Sequence, residues 1–273
     1  MTMGLSEKLI TGAFVCIVAI LFWAIHLVLM GWIPFADTAS AEAFKAFCGD
    51  NLRFAEYACT LLAFCYAAGA MIRDYLKAND RKLFFRIPQN WLIQAGLFFT
   101  IIADWFLVIM IPRNQAIAMS AFVLSQISYF VLIYLYQSEC KDPGRIRRMH
   151  LWVRGIVCLG AVVGCIVVLG QNTDYVALVS LFYIANLFIN IIFAATIFKI
   201  NRSTRLLFFG LLFFICCDIL IGLAAAEGVY LDFGQSAIID ALLHSGHDFA
   251  WMFYPISQTL IALSANNHFN KAA

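Results

Sequence analysis

The sequence predicts an all-α membrane protein, and three observations indicate this fold class. Of the 273 residues, 63% are hydrophobic and only 12% are charged, whereas soluble domains average roughly 25% charged residues. The hydrophobic residues form continuous stretches of about 20, as transmembrane helices require, and do not alternate as in barrel strands. Too little chain lies outside these stretches for a separate soluble domain, so residues 1–273 are predicted to form a single transmembrane domain.

The apolar stretches predict eight transmembrane helices. In chain order they cover residues 9–33, 54–72, 91–111, 116–136, 151–170, 176–198, 206–226 and 249–264. The first stretch is too long for the apolar core of a signal peptide and lacks a small-residue cleavage site after it. Glu56, two residues inside the second stretch, is expected to snorkel towards the outer surface.

The distribution of basic residues predicts the orientation. If the N-terminus is cytoplasmic, the inner segments hold 15 Lys and Arg residues and the outer segments hold 3. This asymmetry follows the positive-inside rule, and it places both termini in the cytoplasm of a multi-pass protein, most simply in a bacterial-type cell membrane. The basic loops are interpreted as determinants of topology and of contact with anionic lipid, and no nucleic-acid partner is predicted.

Two halves of the chain resemble each other. Residues of about 9–136 and 151–264 can be overlaid as parallel four-helix repeats, because "FFTIIAD" matches "FFICCD" and "FVLSQISYF" matches "YPISQTLIA". The overlay sets Ser125 on Ser257, Gln126 on Gln258 and Phe122 on Tyr254.

Two carboxylates lie at similar depths within the predicted helices. Asp104 and Asp218 each fall roughly 18–20 Å from the inner end of their helix, and Gln126, Gln258 and Asn186 reach similar depths. These side chains could simply hydrogen-bond neighbouring helices. However, amides can do this without the several kcal/mol that a buried carboxylate costs, which favours a functional pair. Such a pair suits hydrolysis of an acid-labile bond, with one carboxyl as acid and the other as base, and it also suits proton-coupled transport.

Other catalytic patterns are weak. The segment "HSGHD" (residues 244–248) offers two histidines and an aspartate, but no further convincing zinc ligands are near it in the sequence, so no metal and no other cofactor is predicted. The predicted helices contain no lysine for a Schiff base, and the chain has no G-x-S-x-G motif.

Three segments resemble the YhhN/lysoplasmalogenase family of polytopic membrane proteins. "ADWFLVIMIPRNQAIAMSAFVLSQISYF" is similar to the family's first aspartate helix and the A-F-x-x-[SA]-H-x-x-Y helix that follows it, which places Asp104, Phe122, Ser125 and Tyr129 on family positions. "LFFICCDILIG" is similar to the second aspartate helix, with Asp218 on its aspartate. "FYPISQTLIALS" is similar to the closing segment and matches Tyr254 and Gln258.

The resemblance implies a cofactor-free hydrolase that cleaves the vinyl ether of lysoplasmalogens, so the expected partners are the lipid bilayer and a lysophospholipid substrate. Asp104 and Asp218 are the implied catalytic pair. The residues expected to orient substrate or water are Ser125, Gln126, Tyr129, Asn186, Tyr254 and Gln258. The chain departs from the family where Gln126 replaces a histidine and where a Lys-Pro pair is missing near the second helix. A proton-coupled carrier and a non-catalytic lipid sensor are the alternatives.

Overall fold

The computed structural model describes residues 5–20, 38–78, 84, 87–226 and 237–265, and the regular structure within these residues is helical. The α-helices, in chain order, are α1 (Leu5–Ala19), α2 (Thr38–Lys77), α3 (Leu92–Asp104), α4 (Gln115–Tyr136), α5 (Pro143–Leu169), α6 (Tyr175–Ile197), α7 (Arg202–Ala226) and α8 (Ala237–Ser264). A π-helix, Trp105–Ile109, directly continues α3. Short 3-10 turns are formed by Pro88–Asn90, Gln137–Glu139 and Gly170–Asn172. The predicted all-α class is confirmed for this part of the chain.

Six helical stretches among the described residues are long and apolar enough to cross a membrane. They are Arg53–Lys77, Leu92–Ile109, Gln115–Glu139, Pro143–Asn172, Tyr175–Ile197 and Arg202–Leu223. These six correspond to the second to seventh predicted helices, as expected for a multi-pass membrane protein. The first and eighth predicted spans, and the cytoplasmic placement of both termini, stay predictions.

Helix α2 is much longer than the sequence predicted. It begins at Thr38 rather than near residue 54 and runs for 40 residues, which corresponds to about 60 Å, roughly twice the thickness of the bilayer core. Glu56 lies in this helix and is only 6% exposed. The expectation that Glu56 snorkels to the surface is therefore wrong, because α2 turns that side chain into the bundle.

The order of helix packing places the two aspartate helices within one bundle. Helix α2 packs against α3, α3 against α4, α4 against α6, α6 against α7, and α7 against α8, which returns to α2. Helix α3 also contacts α8. Helix α5 packs on α6, and α1 packs on α2 and α8, so both add to this circuit from its periphery. The internal duplication stays a prediction.

Polar capping residues mark where several helices begin. The side chains of Asn114, Asp142 and Asp174 each accept a hydrogen bond from a backbone N–H three residues later, at the starts of α4, α5 and α6 respectively. Such caps satisfy N–H groups that have no partner within the helix. Pro143, at the first position of α5, has no N–H to satisfy and suits this turn.

Two glycines allow neighbouring helices to approach closely. A Cβ atom placed on Gly96 in α3 would lie 2.3 Å from Cε1 of Tyr129 in α4. A Cβ atom on Gly210 in α7 would lie 2.6 Å from Cγ1 of Ile261 in α8 and 3.1 Å from its backbone nitrogen. Small residues at such positions are typical of membrane helix packing, where close van der Waals contact drives association.

Candidate functional site

Asp104 is the last residue of α3 and lies inside the bundle with 3% of its surface exposed. Its Oδ2 atom accepts two hydrogen bonds, one from the hydroxyl of Thr60 in α2 and one from the hydroxyl of Tyr254 in α8, each 2.5 Å long. Three helices therefore fix the position of this carboxyl. Because Oδ2 of Asp104 accepts two hydrogen bonds, this oxygen acts as an acceptor and not as the donor of a proton.

The chain changes its helical pitch directly after Asp104. The five residues Trp105–Ile109 form a π-helix, and its last turn is closed by a 2.9 Å hydrogen bond from the backbone nitrogen of Met110 to the carbonyl of Trp105. Short π-helical segments inside α-helices frequently occur at functional sites. The change of pitch places Asp104 at the junction of two helical geometries.

Asp218, in α7, has a different environment. The hydroxyl of Tyr183 in α6 donates a hydrogen bond to its Oδ2 atom. Asp218 is partly rather than fully buried, and its Oδ1 atom has no hydrogen-bond partner among the described residues. This carboxyl is therefore more accessible than Asp104 and has one hydroxyl donor instead of two.

Two phenylalanines connect the tyrosines that hold the two carboxyls. Phe122 stacks on Tyr183 with a 5.3 Å separation of ring centroids, and it meets Phe214 edge-on at 6.0 Å. Phe214 in turn meets Tyr254 edge-on at 5.8 Å. The two aspartate–tyrosine pairs thus adjoin one continuous aromatic cluster from α4, α6, α7 and α8.

The two carboxyls are close enough to interact electrostatically, since Asp104 exerts a Coulomb interaction on Asp218. The thiol of Cys217, beside Asp218, interacts with both aspartates and with Glu56 in α2. Asp104, Asp218 and Glu56 therefore all lie within electrostatic range of this buried thiol. This arrangement can combine a proton donor with a fixed carboxylate in an apolar environment, as acid and base catalysis requires.

A second polar cluster surrounds Arg154 in α5. Its guanidinium donates hydrogen bonds to the side-chain oxygens of Asn186 and Asn190 in α6, and another to Nε2 of His150 at 3.1 Å. The guanidinium also lies 4.1 Å from the ring centre of Phe130 in α4. An arginine inside a transmembrane helix therefore points towards the neighbouring helices rather than into lipid.

This cluster extends to Gln126 on one side and to the α4–α5 turn on the other. The Asn190 side chain donates to the backbone carbonyl and to Oε1 of Gln126, at 2.9 and 3.0 Å. His150 Nδ1 lies 3.2 Å from Oε1 of Gln137. Because arginine only donates, Nε2 of His150 is the acceptor, so Nδ1 carries the proton that Gln137 accepts.

The structure places the predicted substrate residues in four different environments. Gln126 and Asn186 belong to the arginine cluster, and Tyr254 contacts Asp104. Gln258 is fully buried, one turn after Tyr254, and neither its Oε1 nor its Nε2 has a hydrogen-bond partner among the described residues. This amide therefore has hydrogen-bonding capacity that the described residues leave unused.

Ser125 and Tyr129 contact α3 instead of the carboxyls. The Ser125 hydroxyl lies 3.1 Å from that of Thr100, and the Tyr129 ring covers Gly96. These contacts are those of helix packing, and a role for either residue in substrate binding stays a prediction.

Sequence reasoning missed Thr60, Tyr183, His150 and Arg154. Hydroxyl residues are common in apolar helices, so nothing distinguishes Thr60 and Tyr183 before the helices are packed. Arg154 does carry a signal, because it lies within the predicted span 151–170 and follows His150 by four residues. The buried residues of α5 are His150, Cys158 and Cys165, so Arg154 lies on the same stripe of this helix.

The structure does not test the segment that offered two histidines. Residues 244–248 lie within α8, but their side chains fall outside the described residues. Among the residues that are described, no group of three His, Cys, Asp or Glu side chains is arranged to hold a metal ion.

Comparison with known proteins gives a family match. The model of the YhhN family matches residues 83–265, which extend from before α3 to the end of α8 and include both aspartates. This match confirms the resemblance seen in the sequence segments. No curated protein and no solved structure matches the chain.

Proposed function

Because the chain belongs to the YhhN family, we propose that it is a membrane-embedded hydrolase that cleaves the vinyl ether bond of lysoplasmalogens. The products would be a fatty aldehyde and a glycerophospho-head group such as glycerophosphoethanolamine or glycerophosphocholine. The observation that carries this proposal is the pair of interior carboxyls, Asp104 and Asp218, each held by a tyrosine hydroxyl beside one aromatic cluster.

Vinyl ether hydrolysis needs an acid and then a base. A proton is transferred to the alkene carbon that is not bonded to the ether oxygen, which leaves an oxocarbenium ion. Water adds to this cation and gives up a proton to a carboxylate, and the resulting hemiacetal breaks its C–O bond to release the aldehyde and the glycerol hydroxyl. During this collapse the carboxylate left by the acid takes up the hemiacetal O–H proton, and the protonated base gives its proton to the departing glycerol oxygen. One water is consumed in total, and both catalytic groups regain their starting protonation states.

The hydrogen bonds favour different roles for the two carboxyls. Among the described residues, Asp218 has one hydroxyl donor and no partner at Oδ1, and it is partly exposed, so it can carry a proton and present it to a substrate. Asp104 accepts two hydrogen bonds from hydroxyls and is almost fully buried, which suits a carboxylate that stabilises the cation and activates water. In this scheme Asp218 is the acid and Asp104 is the carboxylate.

The test is aldehyde release by the purified full chain. We expect aldehyde from a 1-alkenyl lysophospholipid and none from its saturated 1-alkyl ether analogue, and we expect Asp104→Asn and Asp218→Asn each to abolish most of this activity. Folded wild-type protein that releases no aldehyde from either ethanolamine or choline substrates would refute the proposal. Proton-coupled transport would then be examined as pH-driven lipid uptake into vesicles.

Removing the hydroxyl of Tyr254 should impair the reaction without removing a catalytic carboxyl. Tyr254→Phe deletes one of the two donors to Asp104, and we expect kcat to fall roughly 10- to 100-fold, as for loss of a hydrogen bond to a charged group. Tyr175→Phe is the matched control, because its hydroxyl pairs with Ser120 at an exposed position, 2.9 Å away. Equal losses in the two variants would show that the effect is not specific to the carboxyl.

A further inference from the structure

We propose that the Arg154 cluster binds the phosphate of the lysophospholipid head group. This inference rests on the proposed function for the identity of the lipid. It requires only that the interior of the bundle admits an anionic lipid, and it can be tested without measuring hydrolysis.

The first argument is the charge of Arg154, which its contacts solvate but do not neutralise. Its hydrogen-bond partners are the amides of Asn186 and Asn190 and the imidazole of His150, which accepts at Nε2 and is therefore uncharged. No carboxylate of the described residues lies within 4.0 Å of its nitrogens. An arginine in a transmembrane helix is usually paired or functional, and this one has a net positive charge to offer to an anion.

The second argument is that the guanidinium is held in place and still has a donor available. The two asparagines, His150 and the ring of Phe130 fix its orientation from α4, α5 and α6. Its Nε–H has no acceptor among the described residues. Arginine with a fixed orientation is well suited to phosphate, because its planar array of N–H donors matches phosphate oxygens.

The third argument is the distance between this cluster and the carboxyls. Helix α6 supplies both Tyr183, which donates to Asp218, and Asn190, which accepts from Arg154. These two residues are seven positions apart, about 10.5 Å along the helix axis. A glycerol phosphate unit with a hydrogen bond at each end covers a comparable distance. A lipid with its vinyl ether at Asp218 can therefore place its phosphate at Arg154.

The fourth argument is that the Arg154 cluster connects to a basic end of the bundle. It continues through His150 and Gln137 to the turn between α4 and α5, where Lys141 and Arg145 are exposed. This end of the bundle is therefore basic and would attract an anionic head group. The aromatic cluster at Phe122 and Phe214 adjoins Tyr183, which donates to Asp218, and can contact the alkenyl chain there.

The experiment measures binding of two lipids that the enzyme cannot cleave. Tritiated 1-O-hexadecyl-glycerophosphoethanolamine and 1-O-hexadecylglycerol share the ether chain and differ in the phosphate head group. We expect wild-type protein to prefer the phospholipid. Arg154→Gln should weaken binding of the phospholipid roughly 10- to 100-fold and leave binding of the neutral lipid unchanged.

Two further variants and a control guard against misfolding. Asn190→Asp places a carboxylate against the guanidinium and should also remove the preference for the phospholipid. Arg154→Lys retains the positive charge and should therefore keep part of this preference. Arg148→Gln is the control, since Arg148 lies in the same helix but, within the part of the chain that is described, bonds to the Gly144 carbonyl alone.

Two outcomes would overturn the inference. The first is an unchanged preference in both Arg154→Gln and Asn190→Asp, with or without a loss of thermal stability, as expected of a purely structural contact. The second is displacement of the lipid by inorganic phosphate as effectively as by unlabelled phospholipid, which would refute assignment to a lipid head group. A protein that shows the predicted preference but releases no aldehyde would retain this site and lose the proposed activity.

Discussion

Asp218→Asn is expected to lower aldehyde release about 10²- to 10⁴-fold and to change the way in which the remaining rate depends on pH. With the carboxylic acid removed, only solvent can protonate the alkene. The residual rate should therefore rise about tenfold for each unit by which the pH falls, as in catalysis by free hydronium ion.

Asp104→Asn is expected to give a different profile. This variant loses the carboxylate that stabilises the cation, which we expect to cost about 10²- to 10³-fold in kcat. It retains Asp218 as the proton donor, so the rate should stay level at low pH and decline only as Asp218 loses its proton. The measurement is the logarithm of kcat against pH for wild type and both variants.

The control for these profiles is Asp174→Asn. Asp174 is an exposed carboxylate at the start of α6, and asparagine can replace it as a cap. We expect the wild-type rate and profile from this variant. The opposite result would be a tenfold rise in rate per unit fall in pH for Asp104→Asn and a level rate at low pH for Asp218→Asn. In that case Asp104 would be the acid and Asp218 the carboxylate.

The boundaries of two helices could be predicted from hydropathy because polar caps stand at the start of their apolar stretches. The predicted span 116–136 agrees with Gln115–Tyr136, and 176–198 agrees with Tyr175–Ile197. In both cases a capping side chain, Asn114 or Asp174, stands directly before the apolar residues. The residue that begins the helix also begins the hydrophobic stretch.

Hydropathy failed at α2 because it detects membrane crossing and not helix formation. Residues 38–53 include Lys45, Asp50 and Arg53, which lower the mean hydropathy but are compatible with a helix. The helix therefore starts well before the segment that can lie in lipid. The burial of Glu56 follows from the same limitation, since the rotation of a helix about its axis depends on its neighbours.

The two aspartates could be recognised from sequence because a carboxylate in an apolar stretch is costly and rare. Their partners could not, because Tyr183 and Tyr254 reach the carboxyls from other helices, 35 and 150 residues away in the chain. Arg154 was counted with the basic residues of the inner loops, which is the usual place of arginines near the end of a span. Only the four-residue spacing from His150 to Arg154 to Cys158 indicated that it shares the buried stripe.

Gly96→Ala is expected to destabilise the protein by about 1–3 kcal/mol, because the new methyl group overlaps the fully buried ring of Tyr129. The overlap involves side-chain atoms alone, so a smaller residue at position 129 can relieve it. In the double variant with Tyr129→Leu we expect a smaller loss than the sum of the two single losses. The measurement is the free energy of unfolding in mixed micelles, and additive losses would show that the ring already moves aside.

Gly210→Ala should lower the free energy of unfolding by a similar amount, but a smaller neighbouring side chain should not restore it. Its Cβ would contact not only the Ile261 side chain but also backbone atoms of α8, the nitrogen of Ile261 at 3.1 Å and the carbonyl oxygen of Ser257 at 3.2 Å. Ile261→Ala removes the first contact and leaves the other two, so α7 and α8 must still move apart. We therefore expect little or no favourable coupling in this double variant, and rescue equal to that at Gly96 would contradict a backbone contact. Since α8 carries Tyr254 and α7 carries Asp218, the same separation should also lower kcat.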